Sequence, residues 1–135
     1  MRFLCAEDNE LNAEILTELL KIKGAECTIC ENGKKLVETF GQSVPGEYDM
    51  ILMDVQMPVM NGYEATKAIR RSSHELAKTI PIIAMTANAF SEDIQHSFAA
   101  GMNAHVSKPV EMKVLEKTIR SIKSGGGIEP QVTVQ

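Results

Sequence analysis

Met50-Ile51-Leu52-Met53-Asp54 is the stretch on which the fold turns. Four apolar residues without polar alternation describe a strand covered on both faces, and an acid ends it abruptly. The following Met57-Pro58 and Asn61-Gly62 mark a loop. Apolar runs of the same kind recur at Phe3–Ala6, Cys27–Cys30, Ile82–Met85 and, more briefly, His105–Val106.

Between these runs the periodicity changes to that of helices. Leu11, Ile15, Leu19 and Ile22 recur at helical spacing before Gly24 stops the pattern. Leu36, Val37 and Phe40 follow the Asn32-Gly33 turn, and Tyr63, Thr66 and Ile69 follow Gly62. Ser91 reads as the N-cap of a helix that carries Ile94 and Phe98 and ends at Gly101. Val114, Leu115, Thr118, Ile119 and Ile122 form the last stripe. Five strands alternating with five helices require parallel pairs joined by right-handed crossovers. The expected fold is therefore α/β, a doubly wound five-stranded parallel sheet in the flavodoxin-like order 2-1-3-4-5. Residues 1–124 form the expected domain, and the Gly-rich 125–135 reads as a flexible tail or linker.

Composition narrows the function. The chain has 135 residues, 44% of them hydrophobic, and a net charge of −4, with no basic stripe. That balance argues against direct nucleic-acid or membrane-surface binding. No apolar run approaches the ~20 residues of a membrane span, and Glu7-Asp8 interrupts the N-terminal run too early for a signal peptide. Three cysteines, an odd number, fit a reducing compartment. Cys27-Thr28-Ile29-Cys30 has redox-pair spacing but sits within an apolar run, so it reads as two small core residues. His74 and His96 are expected on solvated helix faces.

Ligands of open α/β sheets bind beyond the carboxyl ends of the strands. Glu7-Asp8, Asp54, Thr86 and Ser107-Lys108-Pro109 all fall there. Each has an ordinary reading as a turn former, a cap or a surface charge; their convergence on one rim does not. Three adjacent carboxylates repel one another unless a cation joins them, and such oxygen ligands suit Mg²⁺ (or Mn²⁺). With an ammonium and a hydroxyl added, these are the parts needed to place a phosphoryl group on a carboxylate.

Four segments together resemble the response-regulator receiver domain over residues 3–123: Ala6-Glu7-Asp8-Asn9, Met53 through Gly62, Met85-Thr86-Ala87-Asn88-Ala89, and Gly101 through Pro109. The resemblance implies that Asp54 takes a phosphoryl group from a histidine kinase or histidine phosphotransfer protein, the domain itself catalysing its phosphorylation and dephosphorylation. It implies that Asp8, Asp54 and the Gln56 carbonyl bind the metal, with Glu7 acting through water. Lys108 and Thr86 would contact the phosphoryl group, as would the Ala87 backbone N–H, and the Lys108-Pro109 bond would be cis. Gln56 and Asn88 would tune the lifetime of the phosphorylated state. His105 stands where the family has Tyr or Phe, so its share in switching the face of helix 4, strand 5 and helix 5 is open.

The wording Ala-Glu-Asp-Asn-Glu-Leu-Asn is similar to receivers of hybrid sensor histidine kinases. The expectation is a cytoplasmic domain excised from such a kinase, whose parent is membrane-anchored. The alternatives are a stand-alone or relay receiver and, more remotely, an Asp-nucleophile phosphohydrolase. The last would need a second Asp where Gln56 stands.

Overall fold

The computed structural model describes residues 1–87 and 91–124, and of residues 91–93 the backbone alone. The element order is β1 (Arg2–Ala6), α1 (Glu10–Ile22), β2 (Glu26–Cys30), α2 (Gly33–Gln42), β3 (Met50–Asp54), α3 (Gly62–Arg71), β4 (Ile82–Thr86), α4 (Ser91–Ala100), β5 (Ala104–Ser107) and α5 (Met112–Lys123). The strands form one sheet in the order β2-β1-β3-β4-β5, and every pairing is parallel. The expected fold is observed. Each strand runs one residue or so beyond its apolar run, because the ladder recruits flanking backbone whatever the side chain. The capping role read for Ser91, the tuning role of Asn88 and the tail at 125–135 lie outside the described side chains.

Period-two alternation divides the core into two layers. Leu4, Ala6, Ile51, Met53, Ile82 and Ala84 face one cluster with Leu36 and Phe40 of α2 and Ala65 and Ile69 of α3. Phe3, Cys5, Met50, Leu52, Ile83, Met85, Ala104 and Val106 face the other with Leu16 and Leu20 of α1 and Leu115 of α5. β3 and β4 are buried at every position, as continuous apolar strands in the middle of a sheet must be.

Helix α1 corrects one expectation. The Leu11–Ile15–Leu19–Ile22 stripe does not face the core: Leu11 is 64% exposed, Ile15 50% and Ile22 75%, whereas Leu16 and Leu20 are buried at 4% and 1%. The helix carries two apolar rows at helical spacing, Leu11–Ile15–Leu19–Ile22 and Leu16–Leu20, offset by one residue. Periodicity alone cannot choose between them. Asn9 caps the helix, its side chain accepting from the Asn12 N–H at 2.9 Å, and the packing of Leu16 and Leu20 on the sheet selects the buried row.

His74 is a second correction. It lies in the turn after α3, half-buried and stacked on Phe40 with ring centroids 4.1 Å apart. Its Nδ1 accepts the Leu76 N–H at 3.0 Å, which leaves Nε2 to donate to the Ser43 carbonyl at 3.0 Å. It pins two loops instead of meeting solvent. His96 is exposed, as expected, and sits edge-on to Tyr63.

Candidate functional site

The site is assembled where four strands end. β1 delivers Glu7 and Asp8, β3 delivers Asp54, β4 ends on Thr86, and the turn after β5 delivers Lys108. Parallel register sets these ends level: Asp54 lies opposite Met85, and Thr86 opposite Ser107. The Lys108-Pro109 bond is cis, as expected. A cleft of about 210 Å³ is lined by Glu7, Asp8, Asn9, Asn12, Asp54, Val55, Gln56, Thr86, Ala87 and Lys108.

Lys108 is the hub. Its Nζ donates to Asp54 Oδ2 at 2.7 Å and lies 3.1 Å from Glu7 Oε1. The Gln56 N–H donates to Asp54 Oδ1 at 3.2 Å, and the Asn9 N–H to Glu7 Oε2 at 3.2 Å. Both oxygens of each buried acid thus have a donor. Asp54 and Glu7 are 3% and 4% exposed, whereas Asp8 is open to solvent.

Burial pushes the Asp54 carboxyl up to about 6, and Glu7 adds to the rise, while Lys108 and the Gln56 N–H oppose it. Burial pulls the Lys108 ammonium down, but Asp54 and Glu7 outweigh it and the net movement is upward. One ammonium does not neutralise this pocket. Carboxylate oxygens of Glu7, Asp8 and Asp54 lie within 4.8 Å of one another. A hard divalent cation that takes oxygen ligands fits this donor set, and the charge left over favours it.

The residues expected from sequence therefore meet, with one exception. His105 does not line the cleft. It is 8% exposed, and by strand alternation it shares a sheet face with Thr86 and Ala84, toward the α4 side. Its Nδ1 is buried without a hydrogen-bond partner among the described residues, and burial holds its pKa below the ordinary histidine value. In this conformation it is a buried ring on the face of the sheet away from α1 and α5.

Two contributors escaped sequence reasoning. Asn9 both caps α1 and lends its N–H to Glu7. Gly62 lets α3 start against β3: a Cβ there would stand 2.9 Å from the Val55 Cα, and closer still to the Asp54 carbonyl oxygen. The Asn61-Gly62 turn signal was visible, but the close approach it serves was not.

Comparison with known proteins agrees with this geometry. The family model for the response regulator receiver domain matches residues 3–120. Hybrid signal transduction histidine kinase I of Dictyostelium discoideum is 38% identical over 122 residues, which is 89% of this chain and 7% of that kinase. The chain spans 3–15% of the length of such curated relatives. Among solved structures, the receiver domain of the sensor histidine kinase PA1611 from Pseudomonas aeruginosa, with magnesium coordinated in its active-site cleft, is 34% identical. It superposes with a TM-score of 0.77 over 90% of this chain and 97% of that one. The receiver domain of Saccharomyces cerevisiae Ssk1, crystallised with the histidine phosphotransfer protein Ypd1, aligns with a TM-score of 0.78 at 27% identity, covering 95% of this chain and 92% of that one. A strand-end cleft of three acids and a lysine, on a sheet ordered 2-1-3-4-5, together with the match over residues 3–120, shows that the chain belongs to the response regulator receiver domain family of two-component signalling.

Proposed function

We propose that Asp54 accepts a phosphoryl group from a phosphohistidine and that its covalent state is the signal. The observation that carries this reading is the 2.7 Å contact of Lys108 with an Asp54 carboxylate that shares its cleft with Glu7 and Asp8. An Asp54 oxygen attacks phosphorus, a P–O bond forms, and the P–N bond to the donor imidazole breaks. Lys108 holds the carboxylate and then stands beside the incoming phosphoryl oxygens. The Thr86 hydroxyl and the Ala87 N–H, which line the same cleft at the end of β4, would donate to the same oxygens.

Asp8, Asp54 and the Gln56 carbonyl would hold Mg²⁺, with Glu7 acting through water. The ion, when bound, offsets the negative charge of the acids and the phosphoryl group. The magnesium in the PA1611 receiver cleft supports this assignment.

The partner is a histidine kinase or a histidine phosphotransfer protein. A phosphohistidine must reach the floor of a cleft whose flank is α1, where Leu11 and Ile15 stand exposed. The Ssk1 complex with Ypd1 supports a partner of this class. The acyl phosphate would shift the face built from α4, β5 and α5 through Thr86 and the loop after β4. We place the domain in the cytoplasm as residues 1–124 of a unit drawn from a longer histidine kinase, in keeping with its relatives. Among the described residues no helix is long and apolar enough to cross a membrane.

The phosphohydrolase reading finds no support, since Gln56 occupies the position of the required second acid and its N–H is bound to Asp54. Acetyl phosphate with Mg²⁺ should add one phosphoryl group to the wild-type chain and none to Asp54→Ala. An unmodified wild type, or equal labelling of both, would overturn the reading.

A further inference from the structure

The three thiols are re-paired by the fold. Cys27 and Cys30 are three residues apart on one strand, so they point to opposite sheet faces. Cys30 packs into the α2–α3 layer, where its Sγ is 3.7 Å from Thr39 Oγ1. Cys27 packs against the α1–α5 layer, and there it meets Cys5 of the neighbouring strand. The two sulfurs are 2.8 Å apart. A covalent S–S bond is about 2.05 Å, so the sulfurs must approach by less than about an ångström. Cys5 lies opposite Ile29 and Cys27 opposite Phe3, so the pair is diagonal and closing it also draws the two strand backbones together.

The two positions differ in access. Cys5 is fully enclosed, two residues before Glu7, whereas Cys27 lies part-exposed on the edge strand β2. The hydrogen bond from Cys5 holds the Cys27 thiol below its ordinary pKa. A partly exposed sulfur with an enclosed second thiol 2.8 Å behind it is the arrangement of an attacking and a resolving cysteine.

We propose that Cys5 and Cys27 form a reversible dithiol–disulfide site that responds to peroxide. The Cys27 thiolate attacks one peroxide oxygen and the O–O bond breaks, giving a sulfenic acid and hydroxide, which leaves as water. The Cys5 sulfur then attacks the Cys27 sulfur. An S–S bond forms, the S–O bond breaks, and the departing hydroxide takes the Cys5 proton as a second water. Two thiols lose two electrons and one peroxide gains them. Cys30 takes no part. The disulfide would tie the strand that leads into the acid pair to the sheet edge, and a thiol reductant would release it.

The native chain is treated with a slight excess of hydrogen peroxide, quenched in acid with an alkylating agent, and analysed by intact mass and non-reducing peptide mapping. The expected result is a loss of about 2 Da, one alkylatable thiol remaining at Cys30, and a peptide cross-linked between Cys5 and Cys27 that dithiothreitol reverses. Cys30→Ser should react at an unchanged rate, and Cys5→Ala should stop at an oxygenated Cys27. Oxygen addition alone in the wild type, a link that includes Cys30, a link between chains, or three thiols still alkylatable would each overturn the proposal.

Discussion

At Asp54 two opposing requirements meet. In its proposed roles as nucleophile and metal ligand Asp54 must be ionised, yet burial pushes its carboxyl up to about 6. Below that pH a proton occupies the group that Mg²⁺ needs. Magnesium affinity should therefore fall about tenfold per pH unit below 6, and hold roughly level above it. Isothermal titration of the chain between pH 5 and 8 reads this directly, and a flat affinity through pH 5 would contradict the assignment of Asp54 as a ligand. The linkage to stability has the same origin. Because the folded pKa exceeds the unfolded one, the folded metal-free chain binds more protons between about 4 and 6. Asp54 thus favours folding at low pH, and that contribution is lost as pH rises through 6. His105 adds the reverse dependence, since its depressed pKa removes stability as pH falls below the ordinary histidine value.

Gly62 belongs to the same scale. Its missing Cβ lets the first turn of α3 lie on the backbone of Asp54 and Val55. Gly62→Ala forces that contact apart and should cost about 1–3 kcal/mol in urea denaturation, with weaker phosphorylation because the Asp54 backbone shifts. Unchanged stability would show that the loop yields without cost. The glycine was legible as a turn residue, but sequence reading has no access to distances between chain segments, so its role against Asp54 was not.

Among the elements, α3 is tied to the end of α4 by the Arg70 side chain. Arg70 donates to the Gly101 carbonyl at 2.8 and 3.1 Å, to Ala77 and Ile80 carbonyls at 3.0 and 2.8 Å, and to Asn103 Oδ1 at 3.0 Å. This planar fork closes the end of α4 where Gly101, at φ +111°, turns the chain toward β5. In the sequence nothing marks Arg70 as a clamp, because the oxygens it binds come from residues up to 33 positions away. Arg70→Lys keeps the charge and loses the fork, and should cost about 1–3 kcal/mol. A midpoint shift equivalent to less than about 0.5 kcal/mol would mean that water replaces the clamp freely.

Helix α1 offers the complementary case. Its exposed row, Leu11, Ile15 and Ile22, contributes little to the core. Ile15→Glu should leave the thermal midpoint and labelling by acetyl phosphate nearly unchanged, while transfer from a phosphohistidine protein slows about tenfold or more. Equal slowing with both donors would place the defect in the cleft and not in docking. The choice between the two α1 rows was hidden from periodicity because both rows satisfy it, and only the packing of Leu16 and Leu20 on the sheet decides.

At the scale of the whole molecule, strand order was legible because parallel βαβ units leave few topologies and apolar runs mark central strands. The acids, Thr86 and Lys108 were legible because each ends or follows such a run, so knowing the fold was enough to bring them together. His105 and the Cys5–Cys27 contact were not, because both depend on which way a side chain turns within an otherwise ordinary strand.

Asp54 is the proposed carrier of the phosphoryl group, and locating that group tests the proposal more directly than mass alone. The chain is labelled with acetyl phosphate and Mg²⁺, the acyl phosphate is reduced with borohydride, and the reduced residue is found by peptide sequencing. The account requires homoserine at position 54 and none in Asp54→Asn. Homoserine elsewhere, or a phosphoryl group that resists borohydride because it sits on a hydroxyl or an imidazole, would contradict it.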